Sequence, residues 1–159
     1  MKLLRTIRFD QSDEHVFEKA AGSDEWAVPG GFAFAGMARE AITGKTRQAF
    51  ANGFLSLESF GRSTFATVAE IGNDDYGKMT EALAAHFCEA HGAPDVESAL
   101  PVAHEEMDFV AGLVADAPIN TVFTLRRFHD DNGEIREEFR TVTPPREPLH
   151  TRIWDVADE

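Results

Sequence analysis

Residues 49–71 read AFANGFLSLESFGRSTFATVAEI. The first five residues close a helix at Gly53, and nearly everything after it is strand-forming. As a single strand, residues 54–71 would span roughly 60 Å, longer than a small domain needs. Gly61 stands in the middle of that run. The stretch therefore predicts a hairpin or a sharply bent pair of strands, near 54–59 and 63–71, at the centre of a sheet.

Upstream, Leu3, Arg5, Ile7 and Phe9 alternate with Leu4, Thr6 and Arg8, which predicts a strand near a sheet edge. Residues 12–22 fit two readings. One is a short helix capped by Ser12; the other is a strand paired with 26–28 across Gly22-Ser23-Asp24. Pro29-Gly30-Gly31 is a firm break, followed by a short strand at 32–34 and a helix-favouring MAREA at 37–41. Thr43 is the expected N-cap of a helix over 44–52, with Gly53 ending it in left-handed geometry.

Downstream, Asn73 is placed to cap a helix reaching about Ala90. Its apolar stripe is Met79, Leu83, Phe87 and Ala90, and Gly92 stops it. Pro101 lacks an amide hydrogen, so a short helix is expected before it and a longer one over 101–115. The stripe of that longer helix is Ala103, Met107, Val110 and Val114. Segments 121–128 and 134–142 flank Asp131-Asn132-Gly133, a hairpin signal. A two-residue loop would set Arg127 opposite Glu138 and Thr124 opposite Thr141. Residues 143–148 hold three prolines and read as extended, and Ile153 and Trp154 beyond them are expected to dock.

Strands at both ends and in the middle, with helices clustered between, imply an α+β fold rather than a doubly wound parallel sheet. We expect a single α+β domain over 1–159. Its sheet is mainly antiparallel, two principal helices pack on one face, and 143–159 is an extended C-terminal segment.

Composition narrows the function classes. The 159 residues carry 28 acids against 15 bases, a net charge of −13. That balance argues against nucleic acid and against an anionic membrane as partners, because both demand a basic footprint. Cys88 is the one cysteine, so no intrachain disulfide or thiolate-rich metal site can form. Residues 1–9 are too short and too charged for a signal segment or a membrane span, which makes the cytoplasm the expected location.

No stretch carries a catalytic signature. Gly44-Lys45-Thr46 resembles the end of a phosphate-binding loop, but that loop needs a glycine where Arg39 stands; a helix start explains it better. His86 with Glu89, and His104 with Asp108, are spaced to share helix faces. Packed together, the two helices could offer four metal ligands, though charged pairs at this spacing are common on solvated faces. Cys88 beside Phe87 reads as an inert, partly buried thiol. Ser59 lacks the glycines of a nucleophile elbow.

Glu58 and Arg62 flank Gly61. They fit a salt bridge across the turn, or, for Arg62, a donor fork for a ligand carboxylate or phosphate. Trp26, just before the Pro-Gly-Gly break, fits a packing anchor or the wall of a pocket or interface. The candidate contacts for a ligand or partner are thus Trp26, Glu58, Arg62 and Trp154. No cofactor is expected.

Three segments together, EWAVPGGFAF at 25–34, GKTRQAFANGF at 44–54 and LESFGRSTF at 57–65, resemble an uncharacterised family of short acidic bacterial proteins, a domain of unknown function. The resemblance runs from the first strand to the C-terminal hairpin and carries no catalytic residues. Members occur near accessory genes for redox metalloenzymes and a lipoate-ligase-like protein, so the resemblance implies an accessory role in such a system. Two functions are therefore expected. The first is a non-catalytic accessory or adaptor protein acting through protein contacts, a homodimer among them. The alternative is a small-molecule-binding domain or enzyme with a pocket near 26–31 and 58–62.

Overall fold

The computed structural model describes residues 1–142. The extended segment expected at 143–159, and Trp154 with it, lie outside the described residues. In chain order the elements are β1 (Lys2–Ile7), α1 (Ser12–Val16), β2 (Trp26–Val28), α2 (Gly44–Asn52), β3 (Phe54–Ser56), β4 (Arg62–Ser63) and β5 (Phe65–Glu70). They continue with α3 (Asn73–Ala90), α4 (Val96–Val114), β6 (Val122–His129) and β7 (Ile135–Val142). The seven strands form one antiparallel sheet in the order β4-β3-β2-β1-β5-β6-β7. The fold is α+β, with two principal helices, α3 and α4, packed on each other and α4 packed on β1 and β2.

The register shows why this sheet needs the helices. Leu4 faces Val68, Ala66 faces Phe123, and Leu125 faces Phe139. Directly opposed residues point to the same side, so these six make one continuous apolar surface. The α4 stripe Ala103, Met107, Val110 and Val114 is fully buried with them, as is Leu83 of α3.

Several local expectations give way to longer-range packing. β1 is the middle strand, not an edge, because β2 and β5 both pair with it and bury Leu3 and Leu4. The 54–71 run is not the sheet's centre as a unit. It divides into β3, the edge strand β4, and β5. Residues 12–22 form only the short α1, and Ala20 makes an isolated parallel bridge to Arg62. Residues 31–34 wind into a 3₁₀ turn instead of a strand, and 39–41 into another.

Gly53 is extended rather than left-handed; glycine is required because a Cβ would lie 2.9 Å from the Ala49 carbonyl. At the β3–β4 turn the positive φ belongs to Phe60, at 58°, and Gly61 is there because a Cβ would lie 2.6 Å from the Ala20 backbone. Pro101 sits inside a single helix, α4. The lost amide bond is outweighed by the Asp95 cap on the Ser98 amide and by burial of Ala99 and Ala103 on either side.

The C-terminal hairpin is present but slips by one residue from the expected pairing. Arg127 faces Glu137, Arg126 faces Glu138 and Thr124 faces Arg140. The loop is longer than two residues. The Asp130 carboxylate accepts from the Asn132 and Glu134 amides, and Gly133 takes the positive φ. A one-residue slip exchanges the faces of every side chain. Arg127 lies on the apolar side of β6, two positions beyond Leu125, and the slip sets Glu137 rather than Glu138 opposite it.

Candidate functional site

Arg127 therefore ends an apolar row with a buried charge, and the surrounding chain is shaped to satisfy it. Its Nε donates to Glu137 Oε2 at 2.9 Å, and its Nη2 to the Pro29 carbonyl at 2.7 Å. Its Nη1 donates to the Phe50 carbonyl at 2.7 Å, near the end of α2, where the helix dipole also favours a cation. Burial pulls the guanidinium below its ordinary value while Glu137 holds it up.

The Pro29-Gly30-Gly31 break has a matching reason. A Cβ on Gly31 would lie 2.6 Å from Glu137 Oε2 and 3.1 Å from Arg127 Nε. A Cβ on Gly30 would lie 2.5 Å from Leu55 Cβ and 3.0 Å from Arg62 Nη1, and Gly30 has φ of 77°. The two glycines let the backbone pass against both arginines.

Arg62 is the second guanidinium of this region. Its side chain is also buried, and its Cζ lies 4.9 Å from the ring centroid of Phe34, with that of Arg127 at 5.6 Å. Arg62 has no carboxylate within salt-bridge distance among the described residues. Its Nη1 donates to the Gly53 carbonyl at 3.1 Å, and the Gly30 carbonyl lies at 3.4–3.5 Å from Nη1 and Nη2. Burial first, and the Arg127 charge second, bring it down to about 9, which still leaves it charged at neutral pH.

On the other side of Gly31, a cavity of about 450 Å³ is lined by Glu106, Glu137, Phe32, Phe109 and Phe139. Glu106 is pushed up to about 7, by burial and then by the Glu137 charge; the Gly30 backbone amide and Arg127 oppose the shift. Against α2, a second cavity of about 280 Å³ is lined by Arg39, Arg47, Arg127 and His129 with Phe50 and Phe128. A third, of about 200 Å³, lies between α2 and the β3–β4 turn, and Arg62 lines it.

The residues singled out from sequence fall as follows. Trp26 is a packing anchor: it is buried, with the Arg5 guanidinium 4.0 Å from its ring centroid. Its backbone amide donates to Glu58 Oε2 at 2.7 Å. The segments 26–31 and 58–62 do meet, but through such backbone contacts. Glu58 is thereby occupied, and the expected Glu58–Arg62 bridge is replaced by Arg62's bonds to main-chain carbonyls. Gly44-Lys45-Thr46 starts α2, with Thr43 at the N-cap position but no side-chain capping bond.

The four residues weighed from sequence as weak metal candidates, His86, Glu89, His104 and Asp108, do not converge as a metal site. His86 stacks on Phe60 with centroids 4.0 Å apart, and Asp108 accepts from the Tyr76 hydroxyl at 2.9 Å. Among the described residues no three His, Cys, Asp or Glu side chains converge as a metal site. His86 and His91 are both held below the usual imidazole range, chiefly by burial, with His91 pressing on His86 and Arg62 on His91. Cys88 is half-buried at the margin of the core.

Sequence reasoning passed over Arg127, Glu137, Glu106 and Phe34. Two signals were available. Phe123, Leu125 and Arg127 alternate onto one face, and Glu106 lies three residues after Ala103 and four before Val110, beside the buried stripe. Glu137 and Phe34 carry no comparable mark.

The chain belongs to a family of unknown function, DUF6505, whose model matches residues 1–155. No curated protein and no solved structure matches the chain. No helix among the described residues is long and apolar enough to cross a membrane.

Proposed function

We propose that this chain is a non-catalytic accessory protein that works through protein contacts, and that the region around α2 is its contact face. The carrying observation is where the cations lie. In a chain of net charge −13, Lys19, Arg39, Lys45 and Arg47 gather exposed around α2, and none has an acid within salt-bridge distance among the described residues. A basic face on an acidic protein suits an acidic surface on a partner. The family resemblance directs attention to a redox metalloenzyme system as the setting.

The test is affinity capture from the native cell at two salt concentrations, with wild type and with Arg39→Glu/Arg47→Glu. A partner that is captured by wild type, released by salt and lost from the variant supports the reading. A partner held equally well by both chains, or none at all, overturns it.

One observation favours a second reading, a small-molecule site or enzyme. A carboxyl raised to about 7, Glu106, lines an aromatic-walled cavity, where it could exchange a proton near neutral pH. A thermal-shift ligand screen on wild type and Glu106→Gln tests it; no ligand that separates the two proteins removes this reading.

A further inference from the structure

We propose that the hollow between α2 and the β3–β4 turn binds a small oxyanion, a phosphate or the carboxylate of a small acid, seated on the Arg62 guanidinium. This goes beyond the accessory role and does not depend on it.

The hollow encloses about 200 Å³. That space suits a phosphate or a small acid. Arg62, which lines it, is 9% exposed, so its charge is largely withdrawn from solvent. Taking a cation out of water costs several kcal/mol unless an opposite charge is supplied. Arg127, close enough to depress Arg62, is paired directly with Glu137; Arg62 bonds only to main-chain carbonyls, and Glu137, supporting its charge from beyond salt-bridge distance, counts for less than burial and the Arg127 charge. An incoming anion supplies the missing charge.

The walls fit that occupant. Lys19 and Lys45 stand at the hollow, and Thr46 brings a hydroxyl. Lys45 and Thr46 belong to the first turn of α2, where unsatisfied amides and the helix dipole favour negative charge. Phe34 and Phe60 complete the lining and keep the local dielectric low, which strengthens each ionic contact. Glu18 is the one acid on it, against three cations. Phe60 reaches this position at a φ of 58°, unusual for a bulky residue. Strain of this kind collects at binding sites, where surrounding structure holds it.

The experiment is an NMR titration of the full chain, following backbone amides and the arginine Nε–H groups. Inorganic phosphate and succinate are added separately, with sodium chloride at matched ionic strength as control. Saturable shifts at Thr46, Ala49 and Arg62 Nε are expected. Lys19→Glu/Lys45→Glu changes only exposed side chains and should weaken binding about tenfold or more. A response to phosphate alone marks the ligand as phosphoryl-bearing; a response to succinate alone marks it as a carboxylate. No shift at these positions, shifts matched by chloride, or an unchanged affinity in the double variant overturns the site. Because the capture experiment uses Arg39 and Arg47, either result can fail without the other.

Discussion

Two guanidiniums lie over the ring of Phe34, and the chain treats them differently. Arg127 arrives from β6 and meets a carboxylate and the end of a helix. Arg62 arrives from the edge strand β4 and meets main-chain carbonyls alone. The first arrangement is closed: its charge is balanced inside the fold. The second has no ion pair of its own and stands beside an open hollow. A buried ion complete with its partners indicates architecture, and one lacking a counter-charge indicates something still to be bound.

The strongest way to sharpen this contrast is to remove the balanced arginine. Arg127→Met leaves Glu137 without its partner and the Pro29 and Phe50 carbonyls without the guanidinium donor. It should cost about 3–5 kcal/mol in denaturant unfolding. A loss no larger than that of a surface substitution would dissolve the distinction between the two arginines.

The next effect is a pH dependence. Glu106 is held at about 7 in the fold against an ordinary 4.5. The folded protein therefore keeps its proton longer than the unfolded chain does. This contribution to stability is fully present below pH 4.5 and is lost as pH rises through about 7. Between those limits wild type should lose on the order of 2 kcal/mol relative to Glu106→Gln, measured by unfolding at several pH values. Parallel profiles for the two proteins would show that Glu106 is not perturbed.

Arg62→Met should cost less, about 1 kcal/mol, since loss of its hydrogen bonds is offset by removal of an uncompensated charge. Its phosphate or succinate response should vanish all the same. A cost equal to that of Arg127→Met would make Arg62 architectural. The smallest effect belongs to Arg126, next to Arg127 on the hairpin. It pairs with Glu138 at 2.9 Å, but the two side chains are 59% and 46% exposed, against 0% and 23% for Arg127 and Glu137. Arg126→Ala should change stability by less than about 1 kcal/mol. These neighbours share chemistry and differ in the face they occupy.

The pairing of that hairpin is where sequence reading succeeded least. Periodic segments were legible: α3 occupies the expected 73–90, and the α4 stripe is buried where the spacing put it. Their apolar repeat is long enough to overrule local noise. The face of Arg127 could be read from its alternation with Phe123 and Leu125, but its partner could not, because the hairpin signal at Asn132-Gly133 suggested a shorter loop. Asp130, by capping two amides, lengthened the loop and moved the register by one. Arg62 stood out in sequence because Gly61 precedes it, yet Glu58 was the partner proximity suggested. The Glu58 carboxylate instead serves the Trp26 amide, a contact between residues 32 apart in the chain. Pro101 misled for a similar reason, since burial of its neighbours overrides its own preference.

The place of β1 bears on how the molecule assembles. Its outer pairing runs from Lys2 against Glu70 to Ile7 against Phe65, across everything between. β6 joins β5 only after both long helices have intervened. Within each half, β1–β4 and β5–β7, every pair joins strands consecutive in the chain, but uniting the halves brings β5 back to β1, so that loop closure must precede the contacts that reward it. Such a topology folds slowly for its size. Until β5 reaches it, the middle strand holds out Leu3 and Leu4 with one backbone edge unpaired, a state prone to association with other chains.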